Sequence, residues 1–335
     1  MARINYFIFL AIACLALSAC MQSPDCFRQD VFCAALVTDT LGLDDHGVNR
    51  DAWAGLQEAK NNGLADQIAH IESEDTRDYG KNIAYFAERG FDMIVTSGIG
   101  LQDETLLSAD LYPDSIFVGI NQPQADSPPN FISITFSEDQ MGFMAGALAA
   151  KLTKTGVVAG LCETAGIDSM WRYCEGFRAG AAFTDATTKV LIEYREGGHR
   201  EQLFVDESWG YENAGKLIFR GADVVFAAGG VTGQGALRAA AEAEVYAIGT
   251  ERDQAAALGV AGSSVVTSFL GQTSFEVQEM MRFLQGGQLP AAQIGQIRFV
   301  PLSQNFPEIL GFELEALRIM LLDSRIITNV PFNPP

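Results

Sequence analysis

The chain has 335 residues, 48% hydrophobic and 19% charged, with 33 glycines scattered rather than set in a repeat. That composition suits a soluble globular protein, and the length favours two lobes over one core. The formal charge of -20, with only 22 dispersed Lys and Arg, argues against a nucleic-acid partner, because a duplex-binding surface needs a basic stripe to displace counterions.

At the start of the chain Arg3 precedes an apolar run over residues 6–17 that closes on Leu17-Ser18-Ala19-Cys20. The run is too short for a resident transmembrane helix, and small residues before a cysteine suit a signal peptidase. Residues 1–19 therefore read as a lipoprotein signal peptide, Cys20 as the lipidated first residue of the mature chain, and residues 20–30 as a tether. Of the 6 cysteines, Cys14 leaves with the signal and Cys20 takes lipid, so Cys26, Cys33, Cys162 and Cys174 remain for an oxidising compartment. Three pairings are open. Sequence proximity favours Cys26 with Cys33 and Cys162 with Cys174.

The rest alternates short β-rich runs with amphipathic helices, the pattern of parallel sheets covered by helices on both faces. Strands are expected at 31–37, 67–72, 93–96 and 115–120, with helices between them; Trp53, Leu56 and Ala59 share a face of the first helix. Residues 121–130 hold three prolines and read as a crossing between lobes, since proline removes ladder donors. A second set begins with a strand at 131–136 and a helix whose start, Ser137-Glu138-Asp139-Gln140, has capping-box form. Further strands are expected at 157–162, 189–194, 222–227, 245–249 and 264–269, and a final helix around 312–321. The expected division is residues 31–121 and 255–295 in lobe 1, 131–250 and 301–335 in lobe 2, and hinge crossings near 122–130, 251–254 and 296–300. The fold class is thus α/β, two doubly wound parallel-sheet lobes joined by a three-segment hinge.

Open α/β sheets bind ligands outside the carboxyl ends of their strands. The polar and glycine residues expected there are Asp39, Asp45, Asn49, Ser97 and Gly98 in the first lobe, and Trp209, Gly230, Thr232, Glu251 and Asp253 in the second. Asp45 and Asn49 offer short carboxylate and amide groups to hydroxyls or ring nitrogens, although helix capping uses the same residue types. Gly229, Gly230 and Gly233 with Thr232 make a strand-to-helix turn through which backbone N–H groups can approach a ligand. It is neither a Walker loop, lacking the lysine, nor a dinucleotide fingerprint. Trp171 and Trp209 are candidates to stack on a planar ring. His46 lies beside aspartates, but adjacent turn residues seldom converge on a metal, so no metal and no cofactor is expected. No GxSxG elbow, HExxH or CxxC pair supports catalysis.

Several segments, taken in order, form a recognisable set. They are Leu36-Val37-Thr38-Asp39, then Asp44-Asp45-His46-Gly47-Val48-Asn49 and Trp53-Ala54-Gly55-Leu56; Phe91-Asp92-Met93-Ile94-Val95; and Phe136 before Met144-Ala145-Gly146. Glu175-Gly176-Phe177-Arg178-Ala179-Gly180, Gly221-Ala222-Asp223-Val224-Val225, Ala228-Gly229-Gly230-Val231-Thr232-Gly233 and Ile248-Gly249-Thr250-Glu251-Arg252-Asp253-Gln254 follow. In order and spacing they resemble the basic membrane protein family of ABC-transporter substrate-binding lipoproteins; the resemblance implies a periplasmic-binding-protein type I clamshell with a purine-nucleoside-like ligand. It also implies an ABC permease as partner, a monomer outside the cytoplasm, and Glu251 as the acid on the ribose. Three departures are Val48 for the family's stacking phenylalanine, Glu251 for its aspartate, and Phe269-Leu270-Gly271 where a lysine follows Thr267-Ser268. The alternatives are a non-nucleoside small ligand, or a sensory or surface receptor without transport.

Overall fold

The computed structural model describes residues 24–124, 126–196, 203–290, 292–302 and 305–333. The expected signal peptide and Cys20 lie outside them. In chain order the first part runs β1 (Cys33–Val37), α1 (Val48–Asn61), β2 (Gln67–Ile71), α2 (Tyr79–Ala87), β3 (Met93–Ser97), α3 (Gln102–Leu111), β4 (Ile116–Ile120) and β5 (Phe131–Phe136). Next come α4 (Glu138–Leu152), β6 (Val157–Cys162), α5 (Asp168–Thr184), β7 (Lys189–Tyr194), α6 (Glu207–Phe219), β8 (Val224–Ala228), α7 (Gly230–Glu242) and β9 (Tyr246–Thr250). The chain continues through α8 (Gln254–Leu258), β10 (Val265–Gly271), α9 (Thr273–Gln285), β11 (Gln293–Gly295), β12 (Ile297–Phe299) and α10 (Glu308–Leu322).

The strands form two six-stranded sheets, ordered β11-β5-β4-β3-β1-β2 and β12-β10-β9-β8-β6-β7. Among the described residues these strands pair in parallel except β10 with β12. The strands β1, β3 and β8 are buried at every position, as central strands are when helices cover both faces. Each sheet reverses its strand order once, between β1 and β3 in the first and between β6 and β8 in the second.

The sheets redraw the lobe boundaries expected from the sequence. Phe131–Phe136 pairs with β4 and belongs to the first sheet, not the second, so the proline-rich residues 121–130 connect neighbouring strands of one lobe. Conversely Val265–Gly271 pairs with β9 and belongs to the second sheet, so residues 251–254 lie within that lobe. The chain passes between lobes at Phe136–Ser137, at Gly271–Gln272 and at Gly295–Gln296, near the third expected crossing. The three crossings touch. Gln272 N donates to Gln296 O at 2.7 Å, and a Cβ on Gly271 would stand 2.4 Å from the Phe136 ring. Glycine is needed at 271 because an aromatic ring occupies its side-chain position.

Helices α4 and α5 pack with their backbones in contact. A Cβ on Gly146 would lie 1.9 Å from the Phe177 carbonyl oxygen, and one on Gly180 1.9 Å from that of Phe143. Only residues without a Cβ permit this approach. The expected capping box does not form: Ser137 begins α4, but its side chain makes no cap hydrogen bond, and its carbonyl takes the Gln140 and Met141 N–H groups instead. The disulfides Cys26–Cys33 and Cys162–Cys174 form as sequence proximity favours, with Cα separations of 5.7 and 6.1 Å.

Candidate functional site

The loop after β1 reaches across to the loop after β9. Gly47 and Arg252 form an antiparallel bridge, Asp253 N donates to His46 O at 2.8 Å, and Arg252 Nη1 to Asp45 O at 3.3 Å. The carboxyl ends of the two sheets therefore face each other, with a switch point on each side, the place where doubly wound sheets hold ligands.

On the first-lobe side Asp39, Asn49, Ser97 and Gly98 come together. Asn49 Nδ2 donates to Asp39 Oδ1 at 2.8 Å and to Gly42 O at 3.0 Å, while its Oδ1 accepts from the Ser97 hydroxyl. Gly98 has φ +97, and a Cβ there would meet Asp39 Oδ2 at 3.2 Å. Gln122 ties the floor together, donating to Thr96 Oγ1 and Gly98 O, each at 3.0 Å. Burial pushes the Asp39 carboxyl above its ordinary range, and the hydrogen bonds from Asn49 and Leu41 only partly oppose this. Asp45 is spent locally: its carboxylate accepts the N–H groups of Gly47, Asn49 and Arg50 and starts α1. Asp44 pairs with Arg50 in solvent, and His46 contacts the same guanidinium. Among the described residues no group of His, Cys, Asp and Glu is placed to hold a metal.

On the second-lobe side Glu251 and Gly230 meet: Gly230 N, at the start of α7, donates to Glu251 Oε2 at 3.2 Å. Glu251 sits at φ 69, a conformation that costs a non-glycine residue about 1–3 kcal/mol and is typically retained at functional sites. Asp253 caps α8 through Ala256 N at 3.1 Å, and Thr232, fully buried, accepts from Asp206 N at 3.1 Å; both shape the loops. Trp209 presents one face to Arg195, whose Cζ lies 4.4 Å from the ring centroid. Trp171 lines a groove against Thr328, Asn329, Val330 and Pro331 of the C-terminal segment.

Three residues here escaped sequence reasoning. Phe204, at φ 68, accepts the Val231 N–H at 2.8 Å, and its Cβ would stand 3.1 Å from a Cβ on Gly230. Glu163 follows β6 and Arg195 follows β7, joined Nε to Oε1 at 2.6 Å. Their signal was present: each is an ionisable residue directly after a strand run.

Two facing switch points lined with hydrogen-bonding groups, on lobes joined by three adjacent crossings, define a type I clamshell of the solute-binding class. The chain belongs to the Bmp family, described as ABC transporter substrate-binding protein PnrA-like, whose profile matches residues 32–296. It is 30% identical over 245 residues to the ABC transporter nucleoside-binding protein BmpA of Lactococcus lactis, covering 71% of this chain and 65% of that protein, so slightly under two thirds of the relative's length is matched. Basic membrane protein A of Borreliella burgdorferi is 27% identical over 311 residues, 87% of this chain and 85% of that one. A solute-binding protein of an ABC transporter system from Conexibacter woesei shares the fold, with a TM-score of 0.71 and 21% identity over 90% of this chain and 99% of that chain.

Proposed function

We propose that this protein is an extracytoplasmic solute-binding lipoprotein that captures a purine nucleoside between its lobes and delivers it to an ABC importer. The observation that carries the reading is the pairing of Asp39, Asn49 and Ser97 at one switch point with Glu251 and the Gly230 turn opposite. Membership in a substrate-binding family and likeness to a relative named for nucleoside binding support it. The ligand bridges both groups and shifts the population toward the closed form that the permease recognises. Binding needs no cofactor and no covalent step. Cys20, after removal of residues 1–19, carries acyl chains that anchor the domain near the permease as a monomer. No described helix is long and apolar enough to cross a membrane.

A second reading, a small polar ligand other than a nucleoside, draws on Val48, which packs partly buried against the core, and on Phe269-Leu270-Gly271, which offers no cation. A thermal-shift panel of nucleosides, sugars and amino acids separates the two. Stabilisation by purine nucleosides supports the first reading; stabilisation by another class alone overturns it in favour of the second.

A further inference from the structure

The second-lobe switch point holds charge that the binding role described above does not use. Glu163 is fully buried and the Arg195 side chain is 6% exposed. Arg195 Nη1 also reaches Asp206 Oδ2 at 3.1 Å, and its guanidinium lies over Trp209, so the side chain is held in one orientation from three directions. Glu163 Oε2 and Arg195 Nη2 are both buried and have no hydrogen-bond partner among the described residues. A pair serving packing alone would close both prongs of carboxylate and guanidinium, because an unpartnered buried polar atom bears its full desolvation penalty.

The Glu163 backbone and Cβ abut the glycine turn that borders the ligand crevice. A Cβ on Gly229 would meet Glu163 Cβ at 2.8 Å, and the next residue, Gly230, donates to Glu251. Glu163, the glycine turn and Glu251 thus make one continuous wall at the carboxyl ends of β6, β8 and β9.

We infer that Glu163 and Arg195 read the polar edge of the ligand's ring, Arg195 Nη2 donating to a ring acceptor while Glu163 Oε2 accepts from a neighbouring N–H. The ligand class is a planar heterocycle carrying an acceptor and an N–H side by side. This rests on the nucleoside reading and names the residues that select within it. Trp209 then acts as a positioning residue that fixes the guanidinium plane, without stacking on the ligand.

The test is calorimetric titration of the purified protein with two matched pairs: inosine against inosine methylated on the ring nitrogen beside its carbonyl, and adenosine against adenosine dimethylated on its exocyclic amine. For the tighter-binding nucleoside, methylation weakens binding by at least about tenfold, because a site built to pair an N–H rejects the analogue lacking it. In Glu163→Gln, checked for folding by its melting curve, that gap narrows to below about threefold. Equal binding of methylated and unmethylated ligand by the wild-type protein overturns the inference and leaves the nucleoside reading intact. A gap that persists in Glu163→Gln overturns it as well. If no nucleoside binds at all, the functional reading falls and this inference falls with it. The wild-type comparison needs no variant, so poor folding of Glu163→Gln still leaves a decisive result.

Discussion

Asp39 is held against its preference for water, because burial penalises its charged form. Its folded pKa is raised, so the native state binds more protons than the unfolded chain between about pH 4 and the raised value, and stability falls as pH climbs through that window. Above it the penalty is full. Asp39→Asn keeps the oxygen that accepts from Asn49 and Leu41 while removing the charge. The variant is expected to melt a few degrees higher at neutral pH, with the difference vanishing near pH 4, and to bind ligand at least about tenfold more weakly. Equal melting curves across that range would show that burial does not penalise the carboxylate. At this scale sequence reasoning collected Asp39, Asn49, Ser97, Gly98, Gly230 and Glu251 because each follows a strand run. Whether Asp45 and Asp253 cap helices or face a ligand was not legible, since both uses favour the same residue type at the same place. Glu163 and Arg195 also follow strand runs, but the partners that give them meaning are supplied by other strands, and Phe204 belongs to no local motif.

Between elements, a close fit joins α4 and α5, where Gly146 and Gly180 let backbones touch. Gly146→Ala puts a methyl into the Phe177 carbonyl and should cost about 3 kcal/mol, read as a lower denaturation midpoint at unchanged m-value. A loss under about 0.5 kcal/mol would mean that the helices separate without penalty. Cys162–Cys174 joins β6 to α5 across 12 residues, so Cys174→Ser should cost about 3 kcal/mol and loosen the turn that carries Glu163, measured by chemical denaturation. Most strands and helices were legible, because fully buried runs such as Cys33–Val37 and Val224–Ala228 stand out from amphipathic stretches. The sheet that owns Phe131–Phe136 was not. Its partner is fixed by long-range pairing with β4, while the prolines just before it gave a strong local stop signal that belongs only to a loop.

For the whole molecule, the hinge was legible as a count of three passages and misplaced at two of them. Gly271 and Gly295 mark it through the Phe136 ring that covers both, a contact among three distant segments that no local pattern announces. The lobes also meet outside the hinge, where Arg298 on β12 pairs with Asp51 on α1 at 2.5 Å. Gly271→Ala displaces the Phe136 ring and should change the angle between lobes, altering the solution scattering profile and weakening ligand binding about tenfold, or about 1.4 kcal/mol. An unchanged profile with unchanged affinity would place the swivel elsewhere. The central proposal, a two-lobed receptor for purine nucleosides, is tested most directly by calorimetric titration of the purified protein with inosine, adenosine and guanosine. The expected result is one site per chain for at least one of them, with a Kd of about a micromolar or tighter. Saturable one-to-one binding of a sugar or amino acid, with no heat from any nucleoside, would contradict it.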